Sequence, residues 1–194
     1  MARIPAPTLV LSQVGRAAHD AGLAGLLGGN LFGRFALHPS VTEIASPEER
    51  GKLVNAAWRR YGAINSVSLL AVTVGWAGAR LNEAADGRLS PAERRLARGK
   101  DVLVGVVVVT GLATAAEGMR FAKTAPGGAV PLRDGDHAAA DATEASRRSK
   151  RRVSTLGAVS LAAEAGLVAV NAALNQRNFR RPPGRRLIPR FGRV

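Results

Sequence analysis

Three ionisable residues stand in long apolar stretches of this sequence, where charge is rare. His19 and Asp20 are neighbours near the middle of one stretch, and Glu164 lies near the middle of another. A charged side chain inside a bilayer costs at least about 2.5–3.5 kcal/mol on insertion scales, so such residues face a partner or water. An imidazole beside a carboxylate is also a pair that serves general acid–base catalysis. We therefore take His19, Asp20 and Glu164 as the candidate catalytic residues, at one shared depth in a membrane.

Other polar residues recur at helical spacing on the same stretches. At 100° per residue, Ser160, Glu164 and Asn171 fall within about 40° of one another. Asn30 shares a face with His19 in the same way. Each helix thus offers one polar stripe, as a bundle with a polar interior requires. The candidate ligand-binding residues are Asn30, Thr110, Thr114 and Asn171.

Two interpretations of these polar residues remain open. In the first, they form a buried site for proton transfer or for a small apolar ligand. In the second, they only join the helices, with Arg16 and Asp20 paired one turn apart. One histidine with two carboxylates lacks the ligand spacing of known metal sites, so we expect no metal and no cofactor.

The composition restricts the class of protein. The 194 residues suffice for one domain, and the absence of cysteine excludes disulfides and thiolate chemistry. Aromatic residues make up only 4%, and the net charge is +14. The basic residues avoid the apolar stretches and fill the connections and the C-terminus, which indicates contact with anionic lipid head groups. The run at 147–152 has no interleaved aromatics, so we expect no nucleic acid as partner.

A stripe of small residues marks the first predicted helix. They recur at every fourth position, where a partner backbone can approach closely: Ala17, Ala21, Gly25, Gly29 and Gly33. We predict that this helix spans 9–35 and ends by His38, because the residue before Pro39 is disfavoured in helical conformation.

Three more membrane-spanning helices follow in the sequence. Ser46-Pro47 and Ser90-Pro91 are helix starts, each with an N-cap serine, a proline at the first position and acids in the first turn. The predicted spans are 60–81, 101–119 and 153–175, within helices that begin earlier where a cap is present. A long loop from 123 to about 152 is predicted to hold a solvated turn around Asp134 and Asp136. The fold class is therefore all-α, a four-transmembrane-helix bundle over 1–176, with basic loops and a disordered Arg/Pro-rich tail at 177–194.

A family resemblance supports this architecture. The segment AGLAGLLGGNLFGRFALHPSV resembles the opening of the anthrone-oxygenase-like family of small four-span membrane proteins, which is similar in length. More loosely, the chain resembles uncharacterised four-span membrane proteins of high-GC bacteria. The first resemblance implies a membrane enzyme, but it brings no catalytic residue with it.

From these observations we predict a multi-pass cell-membrane protein with cytoplasmic termini. Its role is that of a non-catalytic accessory protein or self-associating helical bundle. Additional small-residue stripes favour a second copy or a partner subunit: Ala71, Gly75 and Ala79, and Ala158, Ala162 and Gly166. The alternative is a membrane enzyme of the anthrone-oxygenase-like type, or a protein that handles protons or a small apolar ligand.

Overall fold

Four long helices make up most of the chain. A computed structural model describes the backbone of residues 7–180 and the side chains of residues 13–180. The helices are α1 Pro7–Phe32, α2 Pro47–Leu81, α3 Pro91–Ala122 and α4 Glu144–Phe179. The described residues contain no β-strand, so the all-α prediction is confirmed. The predicted disordered tail lies outside the described residues from 181 onward, and 177–179 still belong to α4.

The N-caps act as their sequences predict. Ser46 accepts a hydrogen bond from the Glu49 backbone, and Ser90 forms a reciprocal capping box with Glu93. The third cap, Thr143, bonds the Ser146 backbone and begins α4 nine residues before the predicted span. The basic segments before the apolar stretches of α3 and α4 are therefore helical. Each is continuous with the apolar stretch that follows.

The end of α1 differs from the prediction. The helical path does not stop at His38 but continues through a π-helical turn, Gly33–Leu37, and a short helical turn, His38–Ser40. His38 has φ −63° and ψ −43°, which is helical. Pro39 lies at one of the first two positions of the short turn, where the fixed φ of proline is compatible with helical conformation. The path becomes extended only at Ile44.

The predicted glycine seam packs α1 against α2. A Cβ at Gly29 would meet the ring of Tyr61, and one at Gly33 would meet Trp58. Gly25 faces Ser68, and Tyr61 donates its hydroxyl to the Gly25 carbonyl at 2.7 Å. A larger residue at these seam positions would require the facing side chains of α2 to shift. α3 and α4 form a second closely packed pair, and smaller contacts between α1 and α4 and between α2 and α3 join the two pairs.

The bundle reverses the usual polarity of a water-soluble protein. Its long helices expose aliphatic side chains along their middle, including Val67, Leu70, Val74, Val102, Val109 and Leu112. Polar side chains are buried between the helices, including Ser68, Thr110, Ser160 and Glu164. By length and composition, α2, α3 and α4 can each cross a membrane. The 26-residue α1 is not among these three, so the structure bears out three of the four predicted spans on this criterion.

A folded loop closes the end of the bundle where α1 ends and α2 begins. Residues 123–143, the cap loop, carry Val130 and Leu132 into a small core with Val41, Val54 and Phe121. Both Val130 and Leu132 are fully buried. A short α2–α3 loop, residues 82–90, closes the opposite end. The predicted solvated turn thus holds for Arg133 and His137, with side chains 67% and 57% exposed, but not for Asp136, with a side chain 21% exposed.

Candidate functional site

Most of the predicted site residues fall into two separate clusters of polar side chains. The central cluster is Asn30, Ser160 and Glu164, deep between α1 and α4. The border cluster is Arg16, His19, Asp20, Trp76, Lys100 and Asn171, near the α2–α3 loop. Both are built on helices, so their positions follow from helix packing rather than from loop conformation.

Neutral hydrogen bonds surround the central carboxyl. Asn30 Nδ2 lies 2.8 Å and 3.0 Å from the two carboxyl oxygens of Glu164. Ser160 Oγ, one turn earlier on α4, lies 2.9 Å from Glu164 Oε1. The Glu164 residue is only 1% exposed, and no described residue forms an ion pair with it. The carboxyl is therefore enclosed and hydrogen-bonded without a counter-ion.

The border cluster combines charged, amide and aromatic groups. His19 Nδ1 lies 3.0 Å from Asp20 Oδ1, and Asn171 Nδ2 donates to the same oxygen at 3.1 Å. Lys100 Nζ donates to Asn171 Oδ1 and sits 4.0 Å from the centre of the Trp76 ring. Lys100 is thus held by an amide and by a cation–π contact.

A cavity of about 110 Å³ adjoins this cluster. Its polar lining includes Lys100, Asn171 and Asn178, and its apolar lining includes Leu89 and Leu174. Within the described residues, the buried Nε2 atom of His19 has no hydrogen-bond partner. The cavity is of the size class that accepts a small molecule or several waters.

Ionic contacts place the border cluster at an edge of the apolar layer. Arg80 Nη2 lies 2.9 Å from Asp86, and its Nε lies 3.1 Å from Asp101, which also accepts from Trp76 Nε1. Arg16 pairs with Glu83 at 2.8 Å. Hydrogen bonds from Arg98 and Arg80 hold the pKa of Asp86 below its usual value. Charges of this density end the apolar surface of the helices at this level.

The shared depth predicted for His19, Asp20 and Glu164 is therefore wrong. α1 and α4 run antiparallel, with Asn30 beside Glu164 and Asp20 beside Asn171. The two contacts are ten residues apart on α1 and seven on α4, or about 10–15 Å at 1.5 Å per residue. Each of the three residues lies near the middle of its apolar stretch, and this suggested one depth. In the structure, α1 is displaced along the bundle axis relative to α4. His19 and Glu164 do not meet.

The predicted ligand-binding residues divide between the clusters. Asn30 belongs to the central cluster and Asn171 to the border cluster. Thr110 donates to the Val106 carbonyl of its own helix at 2.7 Å. Thr114 Oγ1 is buried without a described partner. The structure therefore brings Asn30 to Glu164, and neither threonine hydroxyl bonds that carboxyl.

A third cluster, under the cap loop, was not predicted. Trp58 Nε1 donates to His38 Nε2 at 3.1 Å, and His38 Nδ1 lies 3.2 Å from Asp136 Oδ1. The neighbouring His38 imidazole lowers the pKa of Asp136 to about 2, and Arg34, 3.6 Å away, acts in the same direction. The residues come from the helical turns that follow α1, from α2 and from the cap loop, so no local spacing could reveal them. In the sequence, these residues were distinguished only as polar or aromatic residues beside an apolar stretch.

No metal site is evident in the part of the chain described. Residues 13–180 contain no group of three histidine or carboxylate side chains close enough to hold an ion. Comparison of the chain with protein-family models, curated proteins and solved structures finds no match in any of the three.

Proposed function

We propose that this chain is a non-catalytic integral membrane protein whose four long helices cross a bilayer as one bundle. The observation that carries the proposal is the reversed polarity of the fold, with aliphatic side chains outside and polar ones inside. In water, such an exposed aliphatic surface would favour aggregation. In lipid, the same surface is solvated, and the buried polar groups hold the helices together.

The position of α1 supports it as the fourth span. α1 lies along α2 through its glycine seam, and Leu23 and Leu26 join the common core. Asn30 meets Glu164, which lies in the apolar part of α4. A helix packed this way crosses the same layer as its neighbours, although it is displaced along the axis relative to α4. Its lower hydropathy reflects the glycines of the seam and the charges at the border cluster.

Anionic lipid head groups are the partner we propose for the two ends. Exposed arginines surround both, with side chains 61–74% accessible at Arg98, Arg120, Arg148, Arg151 and Arg152. Each basic residue near a membrane surface contributes about 1 kcal/mol of attraction to anionic lipid. Cytoplasmic termini and location in the cell membrane are part of the same proposal.

The structure removes much of the support for self-association through small residues. Gly75 on α2 packs against the Gly15 carbonyl and His19, and Gly166 on α4 packs against Leu103. These stripes are therefore used within the bundle. A second copy or a partner subunit stays a prediction from the sequence.

The enzyme alternative receives no support from the geometry. An acid–base pair required contact between His19 and Glu164, and about 10–15 Å of helix separates the levels of their clusters. We therefore propose no reaction of the anthrone-oxygenase-like type.

The chain is well suited to a direct test of topology because it contains no cysteine. Single cysteines at Gly87, in the α2–α3 loop, and at Arg133, at the tip of the cap loop, would be labelled in intact vesicles with a membrane-impermeant maleimide. We expect the two sites to react from opposite sides. A cysteine at Ala2 should react from the same side as Gly87 if α1 crosses. Recovery of the chain in a high-salt soluble fraction, or labelling of residues 87 and 133 from one side, would contradict the proposal.

A further inference from the structure

Lys100 is an enclosed cation in the wall of the border cavity. The residue is only 4% exposed, and it lines the cavity of about 110 Å³. Its Nζ atom donates to Asn171 Oδ1 and lies over the Trp76 ring, and within residues 13–180 it forms no ion pair. An ammonium group has three N–H donors, and buried charges in proteins are normally paired. Lys100 therefore brings an unpaired positive charge to the cavity.

The carboxylates in the cavity wall are already stabilised by other groups. Glu83 pairs with Arg16 at 2.8 Å. Glu93 accepts hydrogen bonds from the Ser90 backbone at 2.9 Å and from its hydroxyl at 2.7 Å, at a helix N-terminus that stabilises negative charge. The side chain of Asp20 is 63% exposed, so water solvates its charge. The enclosed ammonium is thus the charge of this wall that neither a described carboxylate nor bulk water compensates.

A buried hydrogen-bond acceptor lies in the same wall. His19 lines the cavity and is 3% exposed. Its Nδ1 atom lies 3.0 Å from Asp20 Oδ1, and because a carboxylate oxygen only accepts, the ring proton is assigned to Nδ1. The Nε2 atom of the neutral ring is then an acceptor, and it has no hydrogen-bond partner among the described residues. A group that matches this wall carries a negative charge and a hydroxyl donor.

The size and the apolar part of the cavity restrict the ligand further. A cavity of about 150 Å³ holds one benzene molecule, so the border cavity accepts a group of about five heavy atoms, such as a phosphate. Leu89 and Leu174 add apolar surface to the lining. The cavity also lies at the level where the apolar surface of the helices ends. These features fit a phosphate that is joined to a short carbon chain.

We propose that the border cavity is a specific binding site for a phosphate group with a neighbouring hydroxyl, as in the glycerol phosphate head group of an anionic lipid. Lys100 supplies the positive charge, His19 Nε2 accepts from the hydroxyl, and Leu89 and Leu174 contact the adjoining carbons. The inference deepens the proposed contact with anionic lipid and rests on the proposed membrane location. It differs from general attraction to exposed arginines because it depends on one enclosed lysine.

The test is binding to the purified full-length chain in a neutral detergent. Salt is kept at about 0.15 M, where attraction to charges beyond about 8 Å is largely screened. The probes are short-chain phosphatidylglycerol, free glycerol phosphate and short-chain phosphatidylcholine, and native mass spectrometry counts the molecules retained per chain. We expect one phosphatidylglycerol, bound at least about tenfold more tightly than phosphatidylcholine, whose head group is zwitterionic and has no hydroxyl. Equal binding of free glycerol phosphate would identify a soluble anion as the ligand, and binding of the lipid alone would identify the membrane.

The decisive variant is Lys100→Met, which keeps the length of the side chain and removes its charge. We expect it to weaken binding of phosphatidylglycerol by about tenfold or more, the effect of one hydrogen bond to a charged group. The matched control is Lys52→Met, which removes the charge of a lysine with a 49% exposed side chain near the opposite end of α2. Its effect should stay below about twofold, because a distant surface charge is screened.

A second variant keeps the proposal testable if Lys100→Met is not recovered folded. Ala79→Leu fills part of the cavity without changing any charge, since Ala79 belongs to the lining. We expect it to weaken binding as strongly as Lys100→Met. Equal effects of Lys100→Met and Lys52→Met, unchanged binding in Ala79→Leu, or equal affinity for phosphatidylcholine would overturn the site. Maleimide labelling in vesicles reports topology separately, so failure of the site is distinguishable from failure of the membrane-spanning fold.

Discussion

The central and border clusters hold their acidic side chains in opposite environments. Each includes an acidic residue of a long helix, but Glu164 is 1% exposed and bonded only to neutral groups. The side chain of Asp20 is 63% exposed, and charged, amide and imidazole groups surround it. The central cluster depends on enclosure between α1 and α4, whereas the border cluster depends on access to water.

The difference indicates that the contribution of a polar contact to stability depends on its depth in the bundle. At the border, water screens charges and replaces a lost partner, so single contacts contribute little to stability. Near the middle of the bundle, a lost partner leaves a polar group in an apolar medium, and this costs more. Mutations should therefore have unequal effects in the two clusters.

The largest effect should come from separating α1 from α2 beside the central cluster. Gly29→Leu places a side chain where the Tyr61 ring already lies, and we expect a loss of about 3 kcal/mol through overpacking. Asn30 would then move away from Glu164. Thermal unfolding in detergent measures the change. Gly28→Ala is the matched control, because a Cβ there meets nothing within 4 Å, and comparable destabilisation by both changes would contradict the seam.

Loss of one partner in the central cluster should have the next largest effect. Asn30→Leu leaves the enclosed carboxyl with Ser160 alone, and we expect it to cost about 1–3 kcal/mol. A double-mutant cycle with Glu164→Leu isolates the contact. Cycles on polar contacts between membrane helices average about 0.6 kcal/mol, with a maximum near 1.7. Strictly additive effects in this cycle would show that the Asn30–Glu164 contact contributes nothing.

The cluster of His38, Trp58 and Asp136 under the cap loop provides a comparison, because its carboxylate lies beside basic groups. The pKa of Asp136 is lowered from 3.8 to about 2 by the neighbouring His38 imidazole. Its stabilisation is therefore complete above about pH 4 and is lost as the pH falls through 2. The full shift would correspond to about 2.5 kcal/mol, and partial exposure reduces our expectation to about 1 kcal/mol.

Acid titration of detergent stability should show this loss between pH 4 and pH 2. Asp136→Asn should be less stable at neutral pH and should lack that contribution to the acid transition. If the Asp136→Asn variant showed the same pH profile as the wild type, Asp136 would not be the cause of the loss of stability in acid.

The smallest effect should come from the border cluster. Asp20→Asn keeps the shape of the side chain and its position beside His19 and Asn171. We expect a change below about 0.5 kcal/mol, because the contact is largely exposed. Detergent unfolding beside the Asn30→Leu variant provides the comparison, and an equal loss in both variants would remove the distinction between the two depths.

The helices and the seam could be predicted because their causes are local. Ser46-Pro47 and Ser90-Pro91 begin helices through contacts within one turn, and the bounds of α2 agree with the prediction. Glycines at every fourth position also share a face in any helix. By contrast, the end of the first helix was predicted at His38, because the residue before a proline is disfavoured in helical conformation. In the structure, the π turn Gly33–Leu37 and the short turn His38–Ser40 continue the helical path past Pro39.

The sequence by itself determined that the protein is all-helical, that apolar stretches recur at membrane length, and that α1 has a surface for close packing. Only the tertiary structure decided that Asn30 meets Glu164, that His19 stays at the border, and that His38 joins Asp136 beneath the cap loop. The physical reason is that helical periodicity fixes which face a residue occupies, whereas the offset between antiparallel helices along the bundle axis comes from side-chain packing between distant segments.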